Sequence, residues 1–240
     1  MGTLHYTANE DGAYALAASV GYNVHDTGTD RDTIDSLPGG GKALVWLGEK
    51  CPSGLSSSLT SAVDALGHDP HVLGYYLSDE PDPGACPAGP AWVAAEADYI
   101  HAHAPGQRSF VVVDDTPGAW AAYAPAHSHV DLIGLDPYPC RTDTAGCDDS
   151  MIDRAVSQAQ AAGIPKAIMV PTFQDFGGAG SWFMPNPTQL RAILDRWAAL
   201  VPHPVMEYSY SWGCQGGSLS DCLATRSDAR QVMAAHNRAG

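Results

Sequence analysis

Residues 73–83 read LGYYLSDEPDP. The run through Tyr75, Tyr76 and Leu77 has the apolar, aromatic composition of a strand covered on both faces. It stops at Asp79-Glu80, and Pro81 and Pro83 then fix the direction of the chain. Burying an unpaired carboxylate is costly, so packing alone gives no reason to end a buried strand on two of them. The expectation is a strand whose end opens onto a site, with Glu80 as its working group.

On either side of this stretch the same kind of segment recurs. Strands are expected at 4–7, 22–26, 43–48, 72–78, 109–114, 132–136, 167–172 and 205–211, all short and rich in β-branched or aromatic residues. Helical patterns lie between them. Asn9 is expected to cap the first helix, with Gly21 closing it. Leu55, Leu59, Val63 and Leu66 share a helical face. Pro90 and Pro187 stand where first-turn prolines are tolerated, and the helix that opens with the acidic cap of DDSMID closes at Gly163. The segment GAWAAYAPA at 118–126 is a weak helix broken at Pro125. Eight strands, each followed by a helix or helix-like segment, are the count of an α/β fold of the (β/α)8 barrel type, here one domain over 1–240. An open doubly wound sheet would carry a Gly-rich phosphate loop after an early strand, and none is present.

Six cysteines occur, at 51, 86, 140, 147, 214 and 222, with no CxxC pair to suggest structural zinc. The two short spacings pair Cys140 with Cys147 and Cys214 with Cys222, leaving Cys51 with Cys86. All six fall after strands, in the loops of the barrel's C-terminal face. Three disulfides imply an exported protein. The start, Met1-Gly2 running directly into Thr3-Leu4-His5-Tyr6, is expected of a chain trimmed at its mature end. No apolar run approaches the ~20 residues of a membrane span. A formal charge of −15, from 27 acidic and 12 basic residues, argues against nucleic acid or an anionic membrane as partner. A monomer without cofactor or metal is expected.

Acidic residues gather at the expected strand ends: Asp26, Glu49, Asp79, Glu80, Asp114, Asp115, Asp136 and Asp175, with Glu207 early in the eighth strand. Carboxylates in numbers, without a phosphate loop or an obvious nucleophilic Ser or Cys, suit glycoside hydrolysis. That chemistry needs one carboxylic acid to protonate the leaving oxygen and a second group at the anomeric carbon. Neighbouring residues of a strand point to opposite faces, so Asp79 is expected to orient Glu80 or the substrate rather than to face it. Trp46, Tyr138, Phe173, Trp182, Tyr208, Tyr210 and Trp212 are aromatic candidates for the cleft, with Tyr208 the one most expected to be core.

LSDEPDP on the fourth strand, LIGLDPYP on the sixth, PTFQDFGG on the seventh with PTQLRAILDRWAAL after it, and YSYSW on the eighth resemble the clan-A glycoside hydrolase barrels. The resemblance implies that Glu80 is the general acid/base, and it matches Trp212 to the Trp that closes the eighth strand. Two positions depart from it. Asp79 replaces the usual Asn, and Gln174-Asp175 stand where a nucleophilic Glu is expected. Glu207, Asp175 and Asp136 are therefore the candidate second groups. Asp26, Trp46, Glu49, Asp115, Tyr138, Gln174, Asp175, Trp182, Tyr210 and Trp212 are expected to bind substrate.

The best expectation is an endo-acting hydrolase of a β-glucan-type polysaccharide, compact like the minimal β-1,3-glucanase barrels. The Asp79-Glu80 pair, with Asp136 and Tyr138, also resembles the substrate-assisted enzymes of N-acetylhexosamines, although the DxxDxDxE pattern of glycoside hydrolase family 18 is lacking. A non-catalytic sugar-binding barrel is a further alternative. Metal-dependent amidohydrolase or phospholipase-type barrels would need paired histidines near the first strands, where only His5 and His25 stand.

Overall fold

The structure, a computed structural model, describes residues 2–51, 54–178 and 180–239. Met1 and Gly240, the ends of the expected domain, and Ala179, in the loop that carries Trp182, lie outside the described residues. Eight parallel strands close into a barrel: β1 (Leu4–Thr7), β2 (Val24–Thr27), β3 (Lys42–Trp46), β4 (Val72–Asp79), β5 (Arg108–Val113), β6 (Leu132–Leu135), β9 (Met169–Gln174) and β10 (Met206–Tyr210). The seam closes where β1 pairs with β10, His5 opposite Glu207. A two-residue hairpin, β7 (Cys140–Arg141) with β8 (Gly146–Cys147), sits in the loop after β6. No sequence pattern announces it, because its pairing is made by the Cys140–Cys147 bridge rather than by an apolar period.

The alternation of side chains along each strand builds two cores. Tyr6, Val24, Leu44, Tyr76, Phe110, Leu132, Val170, Met206 and Tyr208 point inward and fill the lumen. Tyr6, Tyr76, Phe110 and Tyr208 meet there with ring centroids 4.6 to 6.5 Å apart, mostly edge to face, as ring quadrupoles prefer. The outward set packs against the helices, of which α1 (Tyr14–Ser19), α2 (Arg31–Asp35), α3 (Ser57–Leu66) and α4 (Gly89–His103) cover the first half. The short α5 (Ala119–Ala122) and α6 (Pro125–Ser128) are the weak helix split at Pro125. They are followed by α7 (Ser150–Ala161), α8 (Pro187–Leu200) and α9 (Ser227–Asn237). Asn186 caps α8 in a reciprocal box with Gln189, and Pro187 occupies the first turn.

Two local expectations shift. The first helix starts at Tyr14, not after Asn9, whose side chain instead accepts from the Ala13 amide at 3.2 Å. Residues Lys166–Ile168 form a 3-10 turn, so the seventh barrel strand, β9, begins at Met169 and runs through Gln174. The three disulfides join Cys51 to Cys86, Cys140 to Cys147 and Cys214 to Cys222, all in loops leaving the C-terminal ends of strands. No described helix is long and apolar enough to cross a membrane.

Candidate active site

The end of β4 carries the centre of the site. Tyr76 rises through the lumen, and its hydroxyl donates to Asp79 Oδ1 at 2.6 Å. A bulge between Tyr76 and Ser78 shifts the β4–β5 register just before this point. Glu80 then takes φ +45°, while its amide still donates to Val112 O at 3.0 Å. A non-glycine residue in the left-handed region costs on the order of 1–3 kcal/mol and gathers at functional sites. Here it breaks strand alternation, so Asp79 and Glu80 both reach the barrel mouth. The expectation of opposite faces fails for that reason.

Glu80 is open to solvent on one side and backed by protein on the other. That burial raises its carboxyl to about 7, and the charges of Asp79, Asp114 and Asp115 push in the same direction. A hydrogen bond with Asp136 opposes them. Asp136 is buried at the end of β6, and burial followed by the charges of Glu80 and Asp79 raises it well above the usual carboxylate range. Tyr138 bonds to it as well. Asp136 and Glu80, both raised by burial and coupled to each other, titrate as a pair. Such a pair holds a transferable proton at neutral pH.

Two cavities meet at Glu80. One, of about 210 Å³, runs past Asp136, Tyr138, Asp115, Trp120, Arg141 and Trp182. The other, of about 480 Å³, runs past Asp79, Glu49, Trp46, Trp92 and Tyr123. On the first side Tyr138 stacks on Tyr210 at 6.0 Å, Phe176 lies 4.8 Å edge-on to Tyr138, and the Arg141 guanidinium sits 5.7 Å above Trp182. On the second side Trp46 is 41% exposed and stands edge-on over Tyr76 at 4.6 Å. Gly48 permits this, since at φ +59° a Cβ there would lie 2.5 Å from the indole. Asp26 reaches the same mouth. Burial raises it to about 7, with the charge of Glu10 adding to the effect and a backbone bond at Asn9 opposing it.

Several expected site residues lie elsewhere. Glu207 points out of the barrel early in β10, toward α9, so it is not near Glu80 as a second catalytic group. Burial would raise its carboxyl, but His236 at 2.8 Å and His5 at 3.1 Å outweigh this and hold it at about 2. Asp175 is fully buried behind β10, accepts from Ser209 Oγ, and is raised to about 7 by burial. Ser209 Oγ is also 2.7 Å from Tyr22 Oη, which makes Asp175 part of an internal polar network. Gln174 is buried at the end of β9, tied to Cys140 N at 2.7 Å, Cys140 O at 3.0 Å and Phe183 O at 3.1 Å. Trp212 is fully buried against Tyr22 in the outer core, and Phe173 is buried edge-on to His236. Strand alternation explains both misplaced carboxylates, because Glu207 and Ser209, to which Asp175 is bonded, share the face opposite to the lumen residues Met206 and Tyr208.

The site also contains residues that the sequence reading did not assign to it: Tyr76, Trp120, Arg141, Phe176, Trp92 and Tyr123. Tyr76 had a signal, three residues before Asp79 on the inward face. The others come from separate loops and helices, and nothing local marks them.

The molecule is thus an eight-stranded parallel barrel with paired carboxylates at its C-terminal mouth. No family model matches the chain, and no curated protein matches it. Among solved structures it is similar to a GH128 (subgroup I) endo-β-1,3-glucanase from Amycolatopsis mediterranei in complex with laminaritriose, with 16% identity and a TM-score of 0.64 over 98% of this chain and 99% of that one. It is also similar to a GH18 chitinase from Pseudoalteromonas aurantia, with 12% identity, a TM-score of 0.56 and 87% and 94% coverage. A β-glucuronidase from Bacteroides uniformis matches at 9% identity and a TM-score of 0.60, over 88% of this chain and 30% of that longer one. This chain spans about a third of the length of that enzyme and of a Bacteroides fragilis protein of similar fold. At these identities what is shared is the barrel.

Proposed function

We propose that the chain is a glycoside hydrolase, endo-acting on a β-glucan-type glycan, with Glu80 as general acid/base. One observation carries this reading. Glu80 stands where two cavities join, raised to about 7 by burial and by neighbouring carboxylates, with the buried Asp136 beside it. A glycan lying through both cavities would place an internal linkage beside the proton donor, as endo action requires. Tyr138, Trp182 and Tyr210 on one side and Trp46 on the other offer ring faces for sugar stacking. The similar glucanase of equal length, with its bound laminaritriose, supports a β-1,3-glucan as the first substrate to try. Three disulfides support an exported protein. The acidic balance of the chain supports a partner other than nucleic acid.

The test is release of reducing ends from β-1,3- and mixed-linkage glucans by the wild type and by Glu80→Gln. Loss of one general acid lowers kcat by roughly 10²–10⁴-fold. Retained activity in that variant overturns the assignment of Glu80.

A second reading is favoured by Gln174. Among the described residues no carboxylate ends β9 in the cleft, because Gln174 is committed to backbone bonds and Asp175 is buried behind the sheet. Asp79 beside Glu80 would then position the acetamido group of an N-acetylhexosamine as internal nucleophile. Cleavage of β-linked N-acetylhexosamine oligomers, lost in Asp79→Asn while β-glucans stay intact, selects this reading over the first.

A further inference from the structure

At the other half of the barrel, away from Glu80, three metal-ligating side chains converge. His5 on β1 and Glu207 on β10 are register partners across the closing seam, and His236 comes from the last turn of α9. His236 Nε2 lies 2.8 Å and His5 Nδ1 3.1 Å from the same oxygen, Glu207 Oε2, and the three ligand atoms lie within 4.8 Å of one another. His5 is 4% exposed, yet its Nδ1 makes no aligned hydrogen bond, although Glu207 Oε2 is near. His236 hydrogen-bonds to Glu207 Oε2, while His5 Nδ1, aimed at the same oxygen, is out of hydrogen-bond alignment.

A metal ion explains the arrangement better. Two imidazoles and a carboxylate are a common zinc donor set, with metal–ligand distances of about 2.0–2.1 Å. Tetrahedral ligands around such an ion lie roughly 3.3–3.4 Å apart, so the 3.1 Å and 2.8 Å separations would each open by a few tenths of an ångström on binding. The rings of His5 and His236 meet edge to face at 75°, with centroids 5.9 Å apart, so the two imidazoles are not stacked on each other. Phe173 packs edge-on against His236 and fixes its ring. His236 is only half-buried, which leaves an entry path and room for solvent to complete the coordination. The described residues hold a second such cluster, Asp35, Asp69 and His71, but it is more open to solvent and Arg31 sits 3.6 Å from Asp69.

We propose that His5, Glu207 and His236 form a zinc-class divalent metal site that clamps the C-terminal helix across the β1–β10 seam. The site is independent of the proposed hydrolysis. Its benefit is geometric: it ties the first strand, the last strand and the last helix together where a barrel has no covalent closure.

The experiment uses the full chain after exhaustive chelation. Titration calorimetry with ZnCl2 is expected to show one ion per chain. At about a hundred times Kd, the melting temperature should rise by roughly 5–10 °C. Mg2+ should do neither, because hard cations want oxygen ligands. His236→Gln should melt cooperatively, keep glycan cleavage and lose the zinc response. In the wild type itself, which needs no variant to fold, Zn2+ should shift the imidazole NMR signals of two of the ten histidines. Absence of saturable zinc binding, an undiminished response in His236→Gln, or unshifted imidazole signals overturns the proposal.

Discussion

Tyr76 links the lumen to the mouth. Its ring belongs to the aromatic core, and its hydroxyl is the one side-chain donor to Asp79 among the described residues. Burial and the charge of Asp114 push the Asp79 carboxyl up, while Tyr76 and Lys50 hold it down. In Tyr76→Phe the hydrogen bond goes and the ring stays. The expected result is a fall in kcat of about tenfold, the scale of one hydrogen bond to a charged group, with KM nearly unchanged and the melting temperature within a few degrees of wild type. Steady-state kinetics on the substrate found for the wild type check it, and unchanged kcat removes any positioning role for Asp79. Among single residues, the site is legible in the sequence where its signal is local. A strand ending in carboxylate and proline marks Asp79, Glu80 and Asp136, and the structure brings all three together. Glu207 misled because its apolar surroundings say only that it is buried, not on which side of the barrel wall it lies.

Loops fastened by disulfides shape the cleft. Cys51–Cys86 joins the loops after β3 and β4, the two that frame the larger cavity and present Trp46 and Glu80. The bridge spans 35 residues, so its removal is expected to cost about 3–4 kcal/mol through loop-closure entropy. Replacing both cysteines with serine should lower the midpoint of denaturant unfolding accordingly, and KM should rise more than kcat falls. A KM equal to wild type would mean that the loops hold their places without the bridge. The elements themselves were largely legible, since buried parallel strands announce themselves as apolar runs. Their ends were less so. The 3-10 turn at Lys166–Ile168 moved β9 by two residues, which carried Gln174 onto the strand. Asn9 looked like a cap because its residue type fits, but the helix that would need it starts later.

Over the full chain, burial sets the response to pH. Asp26, Glu96 and Asp175 each lie near 7 in the folded chain, raised first by burial from an ordinary value near 4. Between about pH 4 and 7 the folded state keeps these protons while the unfolded state has lost them, so stability falls as pH rises through that window. Glu207, held at about 2, acts in the opposite sense. Its contribution is present above about 4.5 and is lost as pH falls from there toward 2. Thermal melts should therefore show a maximum near pH 4–5 and a decline toward pH 8. Asp175→Asn should flatten that decline, and a melting temperature that rises from pH 5 to 8 contradicts the account. The barrel, the disulfide pairs and the carboxylate-proline end of β4 can all be read from the linear chain, because apolar period, cysteine spacing and strand termination are properties of neighbours along it. Whether the remaining carboxylates share that mouth cannot, because closing the barrel sends alternate side chains of one strand either into the lumen and cleft or out toward the helices. That division separates Glu80 and Asp136 from Asp175 and Glu207, and it is settled by packing between residues distant in sequence.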